Sequence, residues 1–358
     1  MSRKKGRRKP KLRMGWQLWV LFSCAAIALA FGLLLTWFVF QIYIPVSYEE
    51  PSKVVKIPYG SHADEIGRIL KENGLIRSRH AFAWYARVSH VSTKLRAGKY
   101  RLSPAYPIRT MMVELQHASG ILTRVTIPEG YTVWQIGQVL DDEGLMPKDQ
   151  FVAYIRDGAK QDMLKKHPFL MKVPTDNIEG YLFPDTYLFS QGDTKQKMVD
   201  RFLTRFEAQI LAEWKAAPEG KGSVRSRLSF HEAVTLASMV EKEAQGTREM
   251  PLIAGVFYHR LDLRMPFASD PTVIYAKGLS HQARVTYRDV AVASPYNTYI
   301  HVGLPPTPIA SPGLDAFRAV LQPTKTYYLF FVADGTGGHK FTKTYADHLA
   351  VQKAAPTK

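Results

Sequence analysis

Apolar and polar positions follow several distinct rhythms along this chain. From Trp16 to Ile44 the residues are almost wholly apolar, and no charge occurs between Met14 and Tyr48. About 20 apolar residues cross a bilayer, so the run predicts a membrane-spanning helix over 15–44. Trp16, Trp19, Trp37 and Tyr43 stand near its ends, where aromatic side chains favour the lipid–water boundary. Next, Val54 to Ile57 is a β-branched strand pattern closed by Pro58 and Gly60, and Ile66, Ile69 and Leu70 take up helical spacing. Gly74 reads as that helix's C-terminal stop, and Lys99 to Leu102 as a returning strand. Further on, Ser229-Phe-His-Glu232 has the spacing of a capping box. It opens a helix that runs to about Gln245 and stops at Gly246; Pro251 to Leu261 reads as a second helix. Pro266 to Pro312 is turn-rich. Tyr327 to Ala333 reads as a strand folded back by Asp334 to Gly338 onto His339 to Thr342. Strands and helices mixed in this way predict an α+β fold.

Part of the pattern occurs twice. Val55-Lys-Ile-Pro-Tyr-Gly60 parallels Val125-Thr-Ile-Pro-Glu-Gly130, and Ile66-Gly67, Leu70 and Gly74-Leu75 recur as Ile136-Gly137, Leu140 and Gly144-Leu145. After a one-residue slip, Phe82, Tyr85 and Arg87 match Phe151, Tyr154 and Arg156. This predicts a duplicated unit of strand, Gly turn and two helices. With its returning strand, the first copy resembles the LysM carbohydrate-binding module, although such units also serve as spacers. The expected divisions are a basic cytoplasmic tail (1–14), a transmembrane helix (15–44), a LysM-like domain (50–118), a second repeat-related subdomain with a connecting region (119–225) and a catalytic core (226–356).

Charge refines the picture. The formal net charge is +17, and eight Lys or Arg residues lie between Arg3 and Arg13. The positive-inside rule keeps that end cytoplasmic and exports the rest. Ala28-Leu29-Ala30 resembles a signal-peptide cleavage site, but the apolar run continues through Phe31 to Leu35, which favours an uncleaved anchor. For an exported basic protein, anionic lipid or an acidic wall polymer is the expected partner, not nucleic acid; a basic surface with no specific ligand is the alternative. Cys24, the only cysteine, lies in the apolar run, so the exported part has neither disulfide nor thiolate nucleophile.

Glu241 and Glu243, at the end of the capped helix, are the leading candidates for chemistry. Phe230, Val234 and Ala237 form an apolar stripe leading to Glu241. A carboxyl continuing such a stripe is desolvated, and the negative helix end acts in the same sense; both raise its pKa, as a general acid requires. Glu243 follows Leu236, Met239 and Val240, so periodicity does not separate the two. Pairing of Glu241 with Arg248 or Arg260 is the structural alternative. His231-Glu232 opens like a zinc-protease motif, but Thr235 stands where the second histidine belongs, and no metal or other cofactor is expected. No G-x-S-x-G occurs, and the one S-x-x-K, Ser2 to Lys5, lies in the basic tail. Two further stretches, Glu179 to Tyr187 and Ser269 to Tyr275 with Ser294 to Tyr299, carry Asp, Asn, Thr and Tyr. These residues suit both sugar hydroxyls and turn chemistry.

Taken together, the strings resemble the endolytic murein transglycosylase (MltG or YceG-like) family. The matching strings are Glu179-Gly-Tyr-Leu-Phe-Pro-Asp-Thr-Tyr187, Leu236-Ala-Ser-Met-Val-Glu-Lys-Glu243, Ser269-Asp-Pro-Thr-Val-Ile-Tyr275, Tyr296-Asn-Thr-Tyr299, Gly303-Leu-Pro-Pro306, Ile309-Ala-Ser-Pro-Gly313 and Phe331-Val-Ala-Asp-Gly-Thr-Gly-Gly-His339. Met239 and Ala244 are conservative departures from the usual Ile and Thr. The resemblance implies an inner-membrane enzyme, single-pass with its C-terminal domain outside the cytoplasm. It would cut MurNAc–GlcNAc bonds within nascent peptidoglycan strands, leave 1,6-anhydro ends, and work beside peptidoglycan synthases. It also implies that Glu241 is catalytic and that Glu179, Asp270, Asn297 and Tyr299 lie in the cleft. A non-catalytic, membrane-tethered peptidoglycan-binding scaffold would share the anchor, the charge and the LysM-like units. A hydrolase using Glu179 or Asp270 as water-activating base is the other enzymatic alternative.

Overall fold

The computed structural model describes residues 14–117, 122–190, 193–278 and 285–354. All of the basic tail expected over 1–14 except Met14 lies outside these residues. The chain divides into two compact units, Met1–Ser119 and Gly120–Lys358.

The first unit begins with helix α1 (Met14–Tyr43), whose stretch Trp19–Tyr43 is long and apolar enough to cross a membrane. Its C-terminal end is tied to the module that follows. Ile42 is buried, Phe38 packs edge-on to Trp84 at 4.2 Å, and Arg77 donates to the carbonyls of Ile44 and Pro45 at 2.8 and 2.6 Å. The module runs β1 (Lys53–Ile57), α2 (Ala63–Glu72), α3 (Arg79–Val88), β2 (Gly98–Leu102) and α4 (Ile108–Gln116). Strands β1 and β2 pair antiparallel from Lys53↔Leu102 to Ile57↔Gly98, so the expected returning strand is present. Alternate residues of each strand, Val55 and Ile57 with Tyr100 and Leu102, enter a core completed by Ile66, Leu70, Phe82 and Met111.

In the second unit β3 (Leu122–Thr126), α5 (Val133–Asp142) and α6 (Lys148–Asp157) repeat the first three elements of that module. After α7 (Ala159–Met163) the chain reaches β4 (Thr186–Ser190), which pairs antiparallel with β3 from Leu122↔Ser190 to Thr126↔Thr186. The second copy therefore also closes as β-α-α-β. Its closing strand was invisible to the sequence reading because an insertion between α6 and β4 displaces it.

The two copies share internal detail. Both first helices end in a Schellman motif. Leu75 N bonds Leu70 O at 2.9 Å and Gly74 N bonds Lys71 O at 2.9 Å; Leu145–Leu140 and Gly144–Asp141 repeat the pair at 2.9 and 2.8 Å. Gly74 and Gly144 both have φ of +70°, which a side chain resists. In each copy a glycine lets the first helix press on the start of the second. A Cβ on Gly67 would lie 2.9 Å from Arg79 O, and one on Gly137 would lie 3.3 Å from Lys148 O.

The rest of the second unit is helical around one continuous core. Helices α8 (Lys195–Phe206), α9 (Ala212–Ala216), α10 (Phe230–Glu243), α11 (Met250–Asp262), α12 (Asp270–Lys277) and α13 (Leu314–Leu321) precede the hairpin β5 (Phe330–Ala333) and β6 (His339–Thr342), and α14 (Tyr345–Ala354) ends the described chain. The capping box at Ser229 forms: Ser229 accepts from Glu232 N, and the Glu232 side chain accepts from Ser229 N at 2.7 Å. Every residue of α10 from Phe230 to Val240 is buried except Glu232, so α10 is the central helix of the unit. It ends at Glu243, short of the expected Gln245, because Ala244 turns to extended backbone. Helix α12 lies inside the stretch whose composition predicts turns. Pro271 stands in its first turn, where the missing N–H costs nothing, so Asp270-Pro271 starts a helix instead.

Packing at the two glycines yields a comparison. Gly67→Ala should destabilise the first unit by about 1–3 kcal/mol, because its methyl meets backbone and not a movable side chain. Gly137→Ala, with more room, should cost less. Melting temperatures of the two variants check the order.

Candidate active site

Three separate pieces of chain meet at the C-terminal end of α10. Ser238, one turn before Glu241, accepts from Ile309 N at 3.0 Å. Ser311 N donates to Tyr131 O and Gly130 N to Ser311 O, both at 2.9 Å, so the 309–313 segment is bonded to the turn after β3. Gly313 N then donates to Glu241 Oε2 at 3.0 Å. Gly180 presses on the same segment, where any Cβ would collide with Pro308.

Glu241 is half-buried in this corner. Loss of water raises its pKa to about 7. The Gly313 hydrogen bond and Lys242 oppose the rise, while the negative charges of Glu129 and Asp315 add to it. The Glu129 carboxylate lies directly against Gly313, where a side chain would collide with it. Glu129 is itself raised, first by partial burial and then by Asp315. Lys242 donates to Gly130 O at 3.1 Å, and burial lowers its pKa to about 8.

The other candidates fall in neighbouring places. Glu243 turns away from Gly313 and accepts from Ser269 Oγ at 2.5 Å; burial, aided by Asp270, raises it to about 7. The two carboxyls that periodicity left equivalent thus have different surroundings. Asp270, at the start of α12, accepts from Tyr299 Oη at 2.5 Å, and burial raises the Tyr299 phenol. Asn297 is fully buried: its amide donates to Val290 O and Val292 O at 2.9 Å each and accepts from Tyr299 N at 3.0 Å. Glu179 is buried, accepts from Val133 N at 2.9 Å and from Tyr275 Oη at 3.3 Å, and is raised to about 7 by burial. Arg260 donates to the backbone carbonyl of Leu329 at 2.6 Å, not to Glu241. His231 accepts from Tyr181 Oη and donates to Pro306 O, both at 2.8 Å, so both ring nitrogens serve the core.

A cleft of about 630 Å³ adjoins the corner through Lys242. The start of α5, with Thr132, Trp134, Gln135 and Gln138, forms one wall, and α12, with Pro271, Ile274 and Tyr275, forms another. Sequence reasoning missed Glu129 and this wall. One signal was available: at the offset that aligns the two copies, Glu129 replaces Tyr59 and Trp134 replaces Asp64.

Fold and site together define a protein with an apolar N-terminal helix, two β-α-α-β units and a desolvated carboxyl beside a cleft. The chain belongs to the YceG-like family, whose model matches residues 55–354. It is 35% identical over 314 residues to the endolytic murein transglycosylase of Bacillus subtilis (strain 168), with 85% of each chain covered. It is 34% identical over 326 residues to the endolytic murein transglycosylase of Streptococcus pneumoniae serotype 2 (strain D39), covering 84% of this chain and 58% of that one. A crystal structure of a yceG-like protein from Listeria monocytogenes matches with a TM-score of 0.58 at 32% identity, over 84% of this chain and 98% of that one.

The raised carboxyls make stability depend on pH. Glu179, Glu241 and Glu243 are each lifted from 4.5 to about 7, so folding favours their neutral forms. That contribution is complete below the unfolded value and is lost as pH rises through the folded one. Glu241→Gln should therefore melt above the wild type at about pH 8 and level with it at about pH 4. A gap that is equal at both pH values would remove Glu241 from the set.

Proposed function

We propose that the protein is a membrane-anchored, endolytic peptidoglycan lytic transglycosylase with Glu241 as its single acid and base. The observation that carries this reading is the Glu241 carboxyl: raised to about 7, held by Gly313 N–H, pressed by the Glu129 charge and adjoining a cleft. Family membership and the names of its relatives supply the substrate class and the enzymatic character.

In this mechanism protonated Glu241 donates to the oxygen between MurNAc and GlcNAc. The C1–O bond breaks through an oxocarbenium-like state. The new carboxylate, supported by Gly313 N–H, takes the proton of the MurNAc C6 hydroxyl. That oxygen attacks C1 and closes the 1,6-anhydro ring. Because the nucleophile belongs to the substrate, its effective concentration is high and no water is consumed. Burial, reinforced by the charges of Glu129 and Asp315, keeps Glu241 protonated until substrate arrives. Tyr299, steadied by Asp270, orients the sugar, while Asn297 fixes the loop that presents Tyr299. Glu179 ties α5 to Tyr275 and so sets the width of the cleft. Its two bonds favour this role over water activation.

Helix α1 is the anchor, with the catalytic unit outside the cytoplasm at the inner membrane. The first β-α-α-β unit is the LysM-like module. Cutting nascent strands there limits their length and places the enzyme beside peptidoglycan synthases.

A digest of purified peptidoglycan with the full-length protein, resolved by mass spectrometry, tests the reaction. Anhydro-MurNAc ends are expected from the wild type, and Glu241→Gln should lose about 10²–10⁴-fold in rate. Reducing ends in their place would point to a hydrolase, and binding without any release to the scaffold. The pH profile supplies a further check. Activity should fall as pH rises through about 7, and Glu129→Gln should move that limb to lower pH, because the charge that raises Glu241 is gone.

A further inference from the structure

Comparison of the two β-α-α-β copies isolates what the second one gained. Each carries an arginine at the same place on its second helix, Arg87 in α3 and Arg156 in α6. In the first copy that arginine pairs with Asp64 at 2.5 Å, on an exposed face that also holds the Arg68–Glu65 and Arg68–Glu72 pairs. In the second copy the position of Asp64 is Trp134, and Arg156 lies over the indole at 4.3 Å. Glu65 and Arg68 correspond to Gln135 and Gln138, while Glu72 remains a carboxylate as Asp142, to which Gln138 Nε2 donates at 2.9 Å. Gln138 accepts from Lys148 Nζ at 3.2 Å, which fixes one rim of the wall. The scaffold, its glycines and its arginine are the same in both, and on the face that lines the cleft Thr132, Trp134, Gln135 and Gln138 stand where the first copy has His62, Asp64, Glu65 and Arg68.

Trp134 is half-buried, packed against the core on one side and lining the cleft on the other. Its neighbour across the cleft floor is Tyr275, with ring centroids 5.9 Å apart. An indole under a guanidinium, bordered by two carboxamides, matches a pyranose ring. The ring's C–H face covers an aromatic surface, and its hydroxyls exchange hydrogen bonds with amides without burying a charge. Gln135 Oε1 accepts from Thr132 N at 2.9 Å and so also caps the start of α5.

We infer that Trp134, with Gln135 and Gln138, is a sugar-binding subsite, and that the second β-α-α-β copy is a carbohydrate module built into the cleft wall. The subsite grips one ring of the glycan strand away from the bond that Glu241 cuts. This inference rests on the proposed function for its substrate, and on the geometry of the wall for its location.

Trp134→Asp is the informative variant, since it restores the pairing that Arg87 makes with Asp64 and so gives Arg156 a partner. The full-length protein is assayed on uncross-linked glycan strands. Binding is measured in the Glu241→Gln background, and turnover with Glu241 in place. The expected result is binding weaker by about tenfold and a matching rise in KM with kcat retained. Trp134→Phe should recover most of both, and Gln138→Ala, on an exposed position, should show a smaller loss in the same direction. Unchanged binding and KM in Trp134→Asp and Gln138→Ala, with wild-type melting temperatures, would overturn the subsite. So would a loss that Trp134→Phe fails to relieve. If the wild type binds strands but releases nothing, the transglycosylase reading fails by itself and the binding series alone decides the subsite.

Discussion

The second unit is organised by a seam of backbone hydrogen bonds along residues 309–313. This short stretch has no regular structure of its own, so its polar groups must find partners elsewhere. Ile309 finds Ser238 on α10, Ser311 bonds both ways with the turn at Gly130 and Tyr131, and Gly313 finds Glu241. A hydroxyl inside a helix buried nearly all round is costly unless engaged, and Ser238 is engaged here. The seam thereby fastens the end of the central helix to the start of the second β-α-α-β copy. It also fixes the environment of Glu241, which exchanges water for one N–H donor and two nearby negative charges.

That exchange sets up a conflict between folding and chemistry. A carboxyl kept in water would have no reason to hold its proton near neutrality. One fully sealed from water could not meet a substrate. Glu241 stands between these limits; Glu179 is closed in by Val133 with Tyr275, and Glu243 is committed to Ser269. The cost of three such groups is borne by a large aromatic core in which Phe169, Tyr181, Phe206 and Phe230 contact one another.

Much of this architecture is legible in the residues because it depends on local rules. The capping box at Ser229, the Schellman glycines, the hairpin at Asp334 and the apolar run of α1 all follow from spacing and residue type. The closing strand β4 does not, because its partner β3 lies some sixty residues away and only tertiary pairing defines it. Helix α12 was hidden by the double use of Asp-Pro, which opens turns and helices alike. The choice between Glu241 and Glu243 depends on which backbone N–H and hydroxyl each one meets, and those donors come from distant segments. Glu129 and Trp134 were legible in principle, but only by asking where the two copies of the repeat differ and not where they agree.

The junction of α1 with its module has a mechanical consequence. Thirty residues of helix measure about 45 Å, more than the roughly 30 Å of bilayer hydrocarbon. At its C-terminal end the helix is gripped by Trp84 through Phe38, and Arg77 holds the carbonyls of Ile44 and Pro45 just beyond it. In a bilayer the helix and module would then lean as one piece. Any change in membrane thickness that alters the tilt of α1 would swing the module through the same angle, as a mast carries its crosspiece.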